Sequence, residues 1–357
     1  METLVGRTTP ELEALAVEAG QPAYRGRQLA AAVYKRGART LDAVPELPKA
    51  FRAWLETSTP LAPCTVRHAS TADDGTVKYL LDLPDGEVVE TVYLPYEGRT
   101  SICVSSQVGC PMACSFCATG TEGLARNLTA GEIVDQILLV QSLHPDTRIT
   151  HVVLMGMGEP LLNLPAVLRA IGLLASEVGL SLRHITVSTV GVVPGIDKLA
   201  DADLPITLAV SLHAPDDTSR TPLVPLNEKY PVAVLMDACA RYVRRTRRRI
   251  TFEYVLLAGV NDTDREAHAL CALLARQPLC ALNTIPYNTT DVSAPYQRPA
   301  PEATRRFREI VASYGVVVTQ RQEKGHRIAA ACGQLKRSAL RAGSSLRRLP
   351  MAVAESE

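Results

Sequence analysis

The fold is indicated by Gln107-Val-Gly-Cys110-Pro-Met-Ala-Cys114-Ser-Phe-Cys117, a stretch that spaces three cysteines four and then three residues apart. Three thiolates at this spacing can reach three corners of a cubane iron–sulfur cluster and leave the fourth iron open for substrate. The alternative is a structural zinc site with Cys103 as a fourth ligand, although zinc sites usually combine two close cysteine pairs. The spacing therefore predicts a [4Fe-4S] cluster held by Cys110, Cys114 and Cys117.

From residue 100 onward, short β-rich runs alternate with longer helical ones. The predicted strands are Ser101–Ser105, His151–Met155, His184–Ser188, Ile206–Ser211, Ile250–Leu256, Ala281–Pro286 and Val316–Gln320. Helical runs lie between them, and one begins with the capping box Thr129-Ala-Gly-Glu132. This alternation predicts a parallel α/β sheet curled into a full or partial barrel, in which chemistry occurs at the carboxyl ends of the strands.

The segment before the alternating region has a different pattern. Apolar residues recur at helical spacing up to about residue 65, and two alternating runs then flank Pro84-Asp85-Gly86, as in a β-hairpin. We expect a helical accessory domain at residues 1–65, a hairpin linker at 66–95, a catalytic core at 96–335 and a basic tail at 336–357.

Glycines and small polar residues follow several of the predicted strands. The second strand runs into Met155-Gly-Met-Gly158-Glu159-Pro160, where glycines let the backbone approach a ligand and the carboxylate can hold an ammonium group. Other strands end at Ser188, at Ser211-Leu-His213 and at Asn288, which suit a ribose or a carboxylate as well as an ordinary helix cap. Their recurrence at one rim predicts a shared ligand. His213 is expected to be neutral, either hydrogen-bonding to a ligand or structural.

Two further cysteines stand outside the cluster motif. Cys103 lies on the first predicted strand of the alternating region, and Cys332 lies in Ala329-Ala-Ala-Cys332-Gly-Gln-Leu335. The spacing leaves two roles open for each, a small buried hydrophobe or a reactive thiol. Because nine cysteines occur with no apolar signal segment in Met1 to Gln21, we expect metal or redox chemistry in a cytoplasmic protein rather than a disulfide framework.

These motifs together resemble a known family. Cys-x3-Cys-x-Phe-Cys is the signature of the radical-SAM superfamily, and the wider set resembles the RlmN/Cfr family of 23S rRNA adenine methyltransferases, most of all its RlmN branch. The matching stretches are Cys103–Cys110, Thr119–Gly120, Arg126–Ile133, Gly156–Asn163, Leu208–Ala214, Ile285–Asn288 and Ala330–Leu335. The resemblance implies a partial (βα)6 barrel behind the helical accessory domain.

The resemblance also implies the roles of the site residues. The open iron would bind S-adenosylmethionine, used twice per turnover, and Phe116 would pack against its adenine. The other cofactor contacts would be Gly158, Glu159, Ser188, Ser211, Leu212, His213 and Asn288. Cys332 would accept a methyl group, Glu90 would accept a proton, and Cys103 would release the product by forming a disulfide with Cys332. One departure is His326-Arg327, where family members more often carry an aspartate ahead of the isoleucine.

The implied reaction is methylation of an adenosine at ring carbon 2, in 23S rRNA and in certain tRNAs. A low-potential electron donor such as flavodoxin or ferredoxin would be a partner. One alternative is methylation at ring carbon 8, as in Cfr. An alternative of another class is a non-catalytic, metal-stabilised RNA-binding protein, which predicts a zinc-filled or empty site.

Binding to RNA has to come from local features of this chain. The net charge is +1 and aromatic residues make up 4%, so neither a global field nor broad stacking platforms attract nucleic acid. The strongest basic patch is Arg241–Arg249, with six arginines in nine residues, and such a run is either a set of phosphate contacts or a solvated face. The apolar runs are short and broken by charge, so we expect no membrane partner.

Overall fold

A computed structural model describes residues 3–59, 61, 64–277, 279–288, 295–321, 324, 325, 328 and 334. The N-terminal part contains three helices, α1 (Thr9–Glu18), α2 (Tyr24–Ala30) and α3 (Lys49–Ser58). The side chains of Leu12 and Leu55 on these helices are fully buried and belong to the same apolar core as the sheet described next. The helices therefore pack onto the rest of the chain.

Ten strands form one continuous mixed sheet. It begins with the antiparallel strands β1 (Thr65–Thr71), β2 (Val77–Asp82), β3 (Val88–Tyr96) and β4 (Arg99–Cys103). Two short strands, β5 (Gln107–Cys110) and β6 (Gly123–Asn127), form a separate antiparallel pair. From β4 the main sheet continues in parallel through β7 (His151–Leu154), β8 (Ile185–Thr189), β9 (Thr207–Ser211), β10 (Ile250–Leu256), β11 (Cys280–Pro286) and β12 (Val317–Gln320). In the part of the chain that is described, β1 and β12 are the two edges.

Helices connect the parallel strands. They are α4 (Ala130–Leu143), α5 (Leu164–Leu173), α6 (Val193–Asp201), α7 (Asp217–Arg220), α8 (Val232–Thr246), α9 (Asp264–Leu274) and α10 (Pro301–Ser313). The predicted capping box is present at the start of α4, where Thr129 and Glu132 each bond to the other's main-chain N–H. The predicted α/β fold with a parallel, partial barrel is confirmed.

The sequence patterns do not predict β1 or the β5–β6 pair. Most of β1 is polar and half-buried, so it lacks the apolar signal that identified the parallel strands. The β5–β6 pair is short, and β6 is mostly exposed. The predicted boundary between hairpin linker and core, at residues 95 and 96, falls inside β3, because the sheet runs through it without a break.

One helical stretch, Pro160–Val178, is apolar and long enough to cross a membrane. Half of its apolar window is buried inside the protein, and α5, which forms its middle, packs against α4. Val167 and Ile171 of α5 have essentially no exposed surface. Packing in the protein core accounts for the apolar character of this stretch.

Candidate active site

A cavity opens at the carboxyl ends of the parallel strands. The loop between β5 and β6 forms one wall, and the ends of β7 to β11 form the others. Of the predicted site residues, the walls contain Cys110, Cys114, Phe116, Cys117, Gly158, Glu159, Ser188, Ser211, His213 and Asn288. Glu253, Tyr287 and Arg321, which the sequence analysis did not single out, also line it. Residues from separate motifs therefore share one cavity.

Close backbone packing holds the cysteine loop. Cys110 ends β5, and its register partner is Gly123 at the start of β6. Gly109 has a φ of 79°, and a Cβ atom there would lie 2.0 Å from the Gly123 oxygen, so only glycine fits. Inside the loop, the Ser115 N–H donates to Leu223 O at 3.1 Å. These contacts fix the loop between its own hairpin and the segment that follows α7.

The thiols lie in surroundings that oppose negative charge. Burial raises the pKa of Cys110 to about 12 and that of Cys114 well above its usual value, and the neighbouring cysteines raise both further. Several thiolates can therefore coexist here only beside bound cations, which suits metal ligation. Among the described residues, no three cysteine, histidine or acidic side chains converge on the position of a single ion. The three cysteines of the loop remain the predicted ligands of the cluster.

Glu159 closes the glycine loop that follows β7. Gly158 has a φ of 104°, and a Cβ atom there would lie 2.7 Å from Gln107 Cβ, so glycine is needed for the loop to approach the cysteine hairpin. The Glu159 carboxylate accepts the N–H groups of Leu161 at 3.0 Å and Val190 at 2.8 Å. Burial nevertheless raises its pKa to about 7. A cationic group placed beside this carboxylate would favour its ionised form. The ammonium contact of Glu159 stays a prediction.

His213 is a buried imidazole at the end of β9. Its Nδ1 accepts the Val255 N–H at 3.1 Å, which places the ring proton on Nε2. Burial lowers its pKa to about 3, which favours the neutral imidazole that the sequence analysis predicts. Phe116 packs edge-on against the ring, with centroids 4.8 Å apart. The cavity wall therefore combines an aromatic surface with a neutral histidine.

Asn288 contributes an unsatisfied polar atom to the cavity wall. Its side chain is 4% exposed, yet Oδ1 has no hydrogen-bond partner among the described residues. Buried polar atoms are normally paired, so this oxygen marks a place for a ligand that donates a hydrogen bond. The ammonium and ribose hydroxyl groups of S-adenosylmethionine are donors of this kind. Together with the cysteines and Glu159, the wall fits both predicted cofactors.

Arg220, at the end of α7, is a site residue that the sequence analysis missed. Its side chain is 1% exposed. Burial lowers the pKa of Arg220 to about 10, and the nearby Cys114 sulfur opposes part of this lowering. The guanidinium donates to Leu212 O (2.9 Å), Asn227 Oδ1 (2.8 Å), Val190 O (2.6 Å) and Ser211 O (3.1 Å). It therefore ties the ends of β8 and β9 together behind the cysteine loop. Its place just beyond a rim motif is the one signal that could have found it.

Glu90 and Cys103 do not line the cavity, but they lie on the same face of the sheet as Ser188, because Cys103 is aligned with Val153 and Val153 with Thr186. Cys103 is the register partner of Val92 on β3, and directly opposed side chains share a face. Glu90, two residues from Val92, therefore projects on the same side as Cys103. The intervening Thr91 points the other way and donates to Gln136 of α4 at 2.7 Å. Both side chains predicted for catalysis on β3 and β4 are buried.

Glu90, Cys103 and Leu212 are the described site residues that do not line the cavity. The side chain of Leu212 is fully buried, its N–H donates to Glu253 O at 3.0 Å, and its carbonyl accepts from Arg220. Both backbone groups of Leu212 are bonded inside the protein, and its predicted cofactor contact stays a prediction. Cys332 lies outside the described residues, as does the departure His326-Arg327.

The chain that follows β12 returns toward the antiparallel strands. Arg321 donates to Met155 Sδ, at the end of β7, at 3.0 Å. The Gly325 N–H then donates to Asp74 Oδ2 at 3.3 Å, and Lys324 Nζ donates to Asp74 O at 3.3 Å. Since Asp74 lies in the turn between β1 and β2, this segment spans from the last strand to the first hairpin.

The basic run Arg241–Arg249 lies at the opposite end of the barrel from the cavity. It joins α8 to the start of β10, and the cavity is at the carboxyl end of that seven-residue strand, about 20 Å away. Arg241 pairs with Asp197 at 2.9 Å, and Arg245 pairs with Asp201 at 3.1 Å. The distance of the run from the cavity favours a solvated face over phosphate contacts with RNA that enters the cavity.

Sequence and structure comparisons find similarity over nearly the whole chain. The family model of the radical SAM superfamily matches residues 104–272. A probable dual-specificity RNA methyltransferase RlmN from Thermosynechococcus vestitus is 49% identical over 94% of this chain and 99% of its own length. A protein of the same name from Rhodopirellula baltica is 48% identical over 90% of this chain and 87% of its own. A radical SAM methyltransferase from Sphaerobacter thermophilus has a TM-score of 0.91 and 46% identity over 94% of this chain and 99% of that one.

Proposed function

The chain belongs to the RlmN family of radical-SAM RNA methyltransferases, and from this premise we propose that it methylates adenosine at ring carbon 2. The substrates would be an adenosine in the peptidyl transferase centre of 23S rRNA and an adenosine in certain tRNAs, in the cytoplasm. The observation that carries the proposal is the single cavity that the predicted cysteine, glycine-loop and rim residues share. The relatives are named as probable dual-specificity RNA methyltransferases, which supports a reaction with two kinds of RNA substrate.

The described residues fit two cofactors. Cys110, Cys114 and Cys117 would hold a [4Fe-4S] cluster. The contacts to S-adenosylmethionine would come from Phe116, Gly158, Glu159, Ser188, Ser211, His213 and Asn288. When bound, the two cofactors supply a radical that removes a hydrogen atom. The electron needed to form this radical would come from a low-potential donor such as flavodoxin or ferredoxin. The neutral His213 would offer Nε2–H as a donor, and Arg220 would keep the rim of β8 and β9 in place.

The transfer itself would use three protein side chains. A ring carbon of adenine is electrophilic, so it does not attack the methyl group of a sulfonium directly. Cys332 would carry the methyl group first, lose one hydrogen atom of that group to the radical, and then bond through the same carbon to the adenine. Glu90 would accept the proton that leaves the ring carbon, and the surplus electron of the ring would pass to the cluster that Cys110, Cys114 and Cys117 would hold. The Cys103 sulfur would then attack the Cys332 sulfur. The new S–S bond replaces the bond between sulfur and transferred carbon, whose electron pair and a proton remain on the product.

The experiment compares Cys103→Ala with Cys332→Ala, because the two thiols act at different times. Cys332→Ala should abolish methylation without trapping RNA, since no methyl carrier is present. Cys103→Ala should accumulate protein bonded to RNA, since attachment proceeds while release fails. Denaturing gels with and without nuclease measure the adduct. Normal turnover by Cys103→Ala with no bound RNA would contradict the releasing role.

Mass spectrometry of the methylated RNA fragment separates the two ring positions. Methylation at carbon 2 leaves the hydrogen at carbon 8 exchangeable with heavy water on heating, whereas methylation at carbon 8 removes it. We expect the exchangeable hydrogen to remain. Its loss would favour the carbon 8 reaction. A protein that binds RNA, retains zinc after anaerobic iron reconstitution and never cleaves S-adenosylmethionine would instead be a metal-stabilised binding protein.

A further inference from the structure

Lys78 and Glu90 form an ion pair on the cavity face of the sheet. Lys78 Nζ lies 3.1 Å from Glu90 Oε1, and the two side chains are only 16% and 5% exposed. Lys78 is the register partner of Val92, two residues from Glu90, so both side chains project on the face that carries Cys103. The pair therefore joins β2 to the group proposed to accept the proton.

The backbone of Glu90 is also fixed to the cavity wall. The Ser105 hydroxyl donates to Glu90 O at 2.7 Å, and the Met157 N–H donates to the same hydroxyl at 3.0 Å. Met157 belongs to the glycine loop that leads to Glu159. These main-chain hydrogen bonds already fix the position of the Glu90 backbone relative to the loop. The contact with Lys78 therefore acts on the orientation and ionisation of the Glu90 carboxylate and not on the position of β3.

A buried carboxyl group without a cationic partner is disfavoured in its charged form, and a protonated carboxyl cannot accept a proton. An ammonium in hydrogen-bond contact stabilises the carboxylate. Other titratable groups on this face of the neighbouring strands include Asp82 of β2, which pairs with Arg67, and Cys103 and Arg99 of β4, of which Arg99 lies over the Tyr96 ring. Lys78 is thus a cation in direct contact with the Glu90 carboxylate.

We propose that Lys78 is a positioning residue that keeps Glu90 ionised and aimed for the proton transfer from adenine. The proposal rests on the proposed role of Glu90 in methylation. It assigns Lys78 no contact with the cofactors and no part in the cleavage of S-adenosylmethionine. Its loss should therefore interrupt the reaction only after RNA has bonded to the protein.

The test uses the anaerobically reconstituted holoenzyme with Lys78→Met, Lys78→Arg and Glu90→Gln, and the exposed Lys49→Met as a matched control. Lys78→Met should lower the rate of methylated product by about a hundredfold, the usual size of a lost acid–base contribution, with S-adenosylmethionine cleavage within about twofold of normal. Denaturing gels should show trapped protein–RNA adduct. Lys78→Arg should restore most of the product, and Lys49→Met should behave as the unmodified enzyme.

The outcomes separate the two proposals. If Glu90→Gln turns over normally, the proposed role of Glu90 is wrong. If Glu90→Gln traps adduct but Lys78→Met turns over normally, only the role of Lys78 is wrong. Equal loss of cleavage and methylation in Lys78→Met would indicate a merely structural role and overturn the inference.

A measurement independent of turnover tests the ion pair itself. Removing one partner of a buried pair strands the other charge, so each single variant should unfold at lower urea than the double variant Lys78→Met/Glu90→Gln. Additive effects of the two substitutions would mean that the side chains do not interact in solution, and the proposal would fail.

Discussion

Replacing Glu159 by glutamine should remove a pH dependence of stability. The pKa of this carboxyl is raised by burial from 4.5 to about 7. Between these values the folded protein holds a proton that the unfolded chain does not, so stability falls as pH rises from 4.5 to 7. At about 1.4 kcal/mol per pKa unit, the decline attributable to Glu159 is about 3 kcal/mol. It should level off above the folded pKa.

The assay is urea unfolding of the metal-free, reduced protein, followed by circular dichroism at pH values from 4.5 to 8. At pH 5 the Glu159→Gln variant should have a lower free energy of unfolding than the unmodified protein. The reason is that an amide N–H₂ now faces one of the N–H groups of Leu161 and Val190. The difference in the free energy of unfolding between the two proteins should narrow by about 2.4 kcal/mol from pH 5 to pH 7.5. The exposed Glu56→Gln should keep the original slope. Parallel curves for Glu159→Gln and the unmodified protein would refute the reasoning.

Three further predictions follow from the site. Cys114→Ala should lose the brown colour and the roughly four irons per chain expected after anaerobic reconstitution, as measured by absorbance and iron assay; full iron content would contradict the ligand assignment. Arg220→Met should lower the free energy of unfolding by about 3 kcal/mol or more and weaken binding of S-adenosylmethionine in calorimetry, because it strands buried carbonyl groups; unchanged values would assign Arg220 no part in the wall. Replacing Arg247, Arg248 and Arg249 together by glutamine should change the salt dependence of binding to a short RNA stem-loop by less than about one unit of slope, because these residues lie at the far end of β10, and a larger change would restore the RNA interpretation.

Much of the fold follows from local patterns. The parallel strands are short apolar runs bounded by helices, so their positions are visible in the sequence. β1 is not, because Thr65–Thr71 is polar and half-buried and is a strand only through pairing with β2. The pairing of β5 with β6 likewise depends on the close approach of Gly109 to Gly123, which is a tertiary contact.

The site divides in the same way. Motif residues such as Cys114 and Asn288 can be assigned to one cavity because the carboxyl ends of parallel strands meet. The burial of Arg220 cannot be read from the sequence, since an arginine at the end of a short helix is usually solvated. The location of Arg241–Arg249 could have been predicted, because a segment that precedes a parallel strand lies at its amino end. A cluster of arginines is also typical of a phosphate-binding site, and this composition alone does not show at which end of the strand the segment lies.

The contacts between the segment after β12 and the first hairpin have a consequence for how the enzyme matures. Asp74 meets Lys324 and Gly325 across about 250 positions of the chain. Contacts this distant in sequence close large loops and form slowly, and during synthesis they cannot form before the late residues have been made. The strands of the barrel can form one after another in a nascent chain before the contacts of Asp74 with Lys324 and Gly325 are made. Truncation shortly after β12 should therefore yield a folded barrel that lacks the contact with Asp74 and the Cys332 segment beyond it. The fold would be present before the chain could methylate RNA.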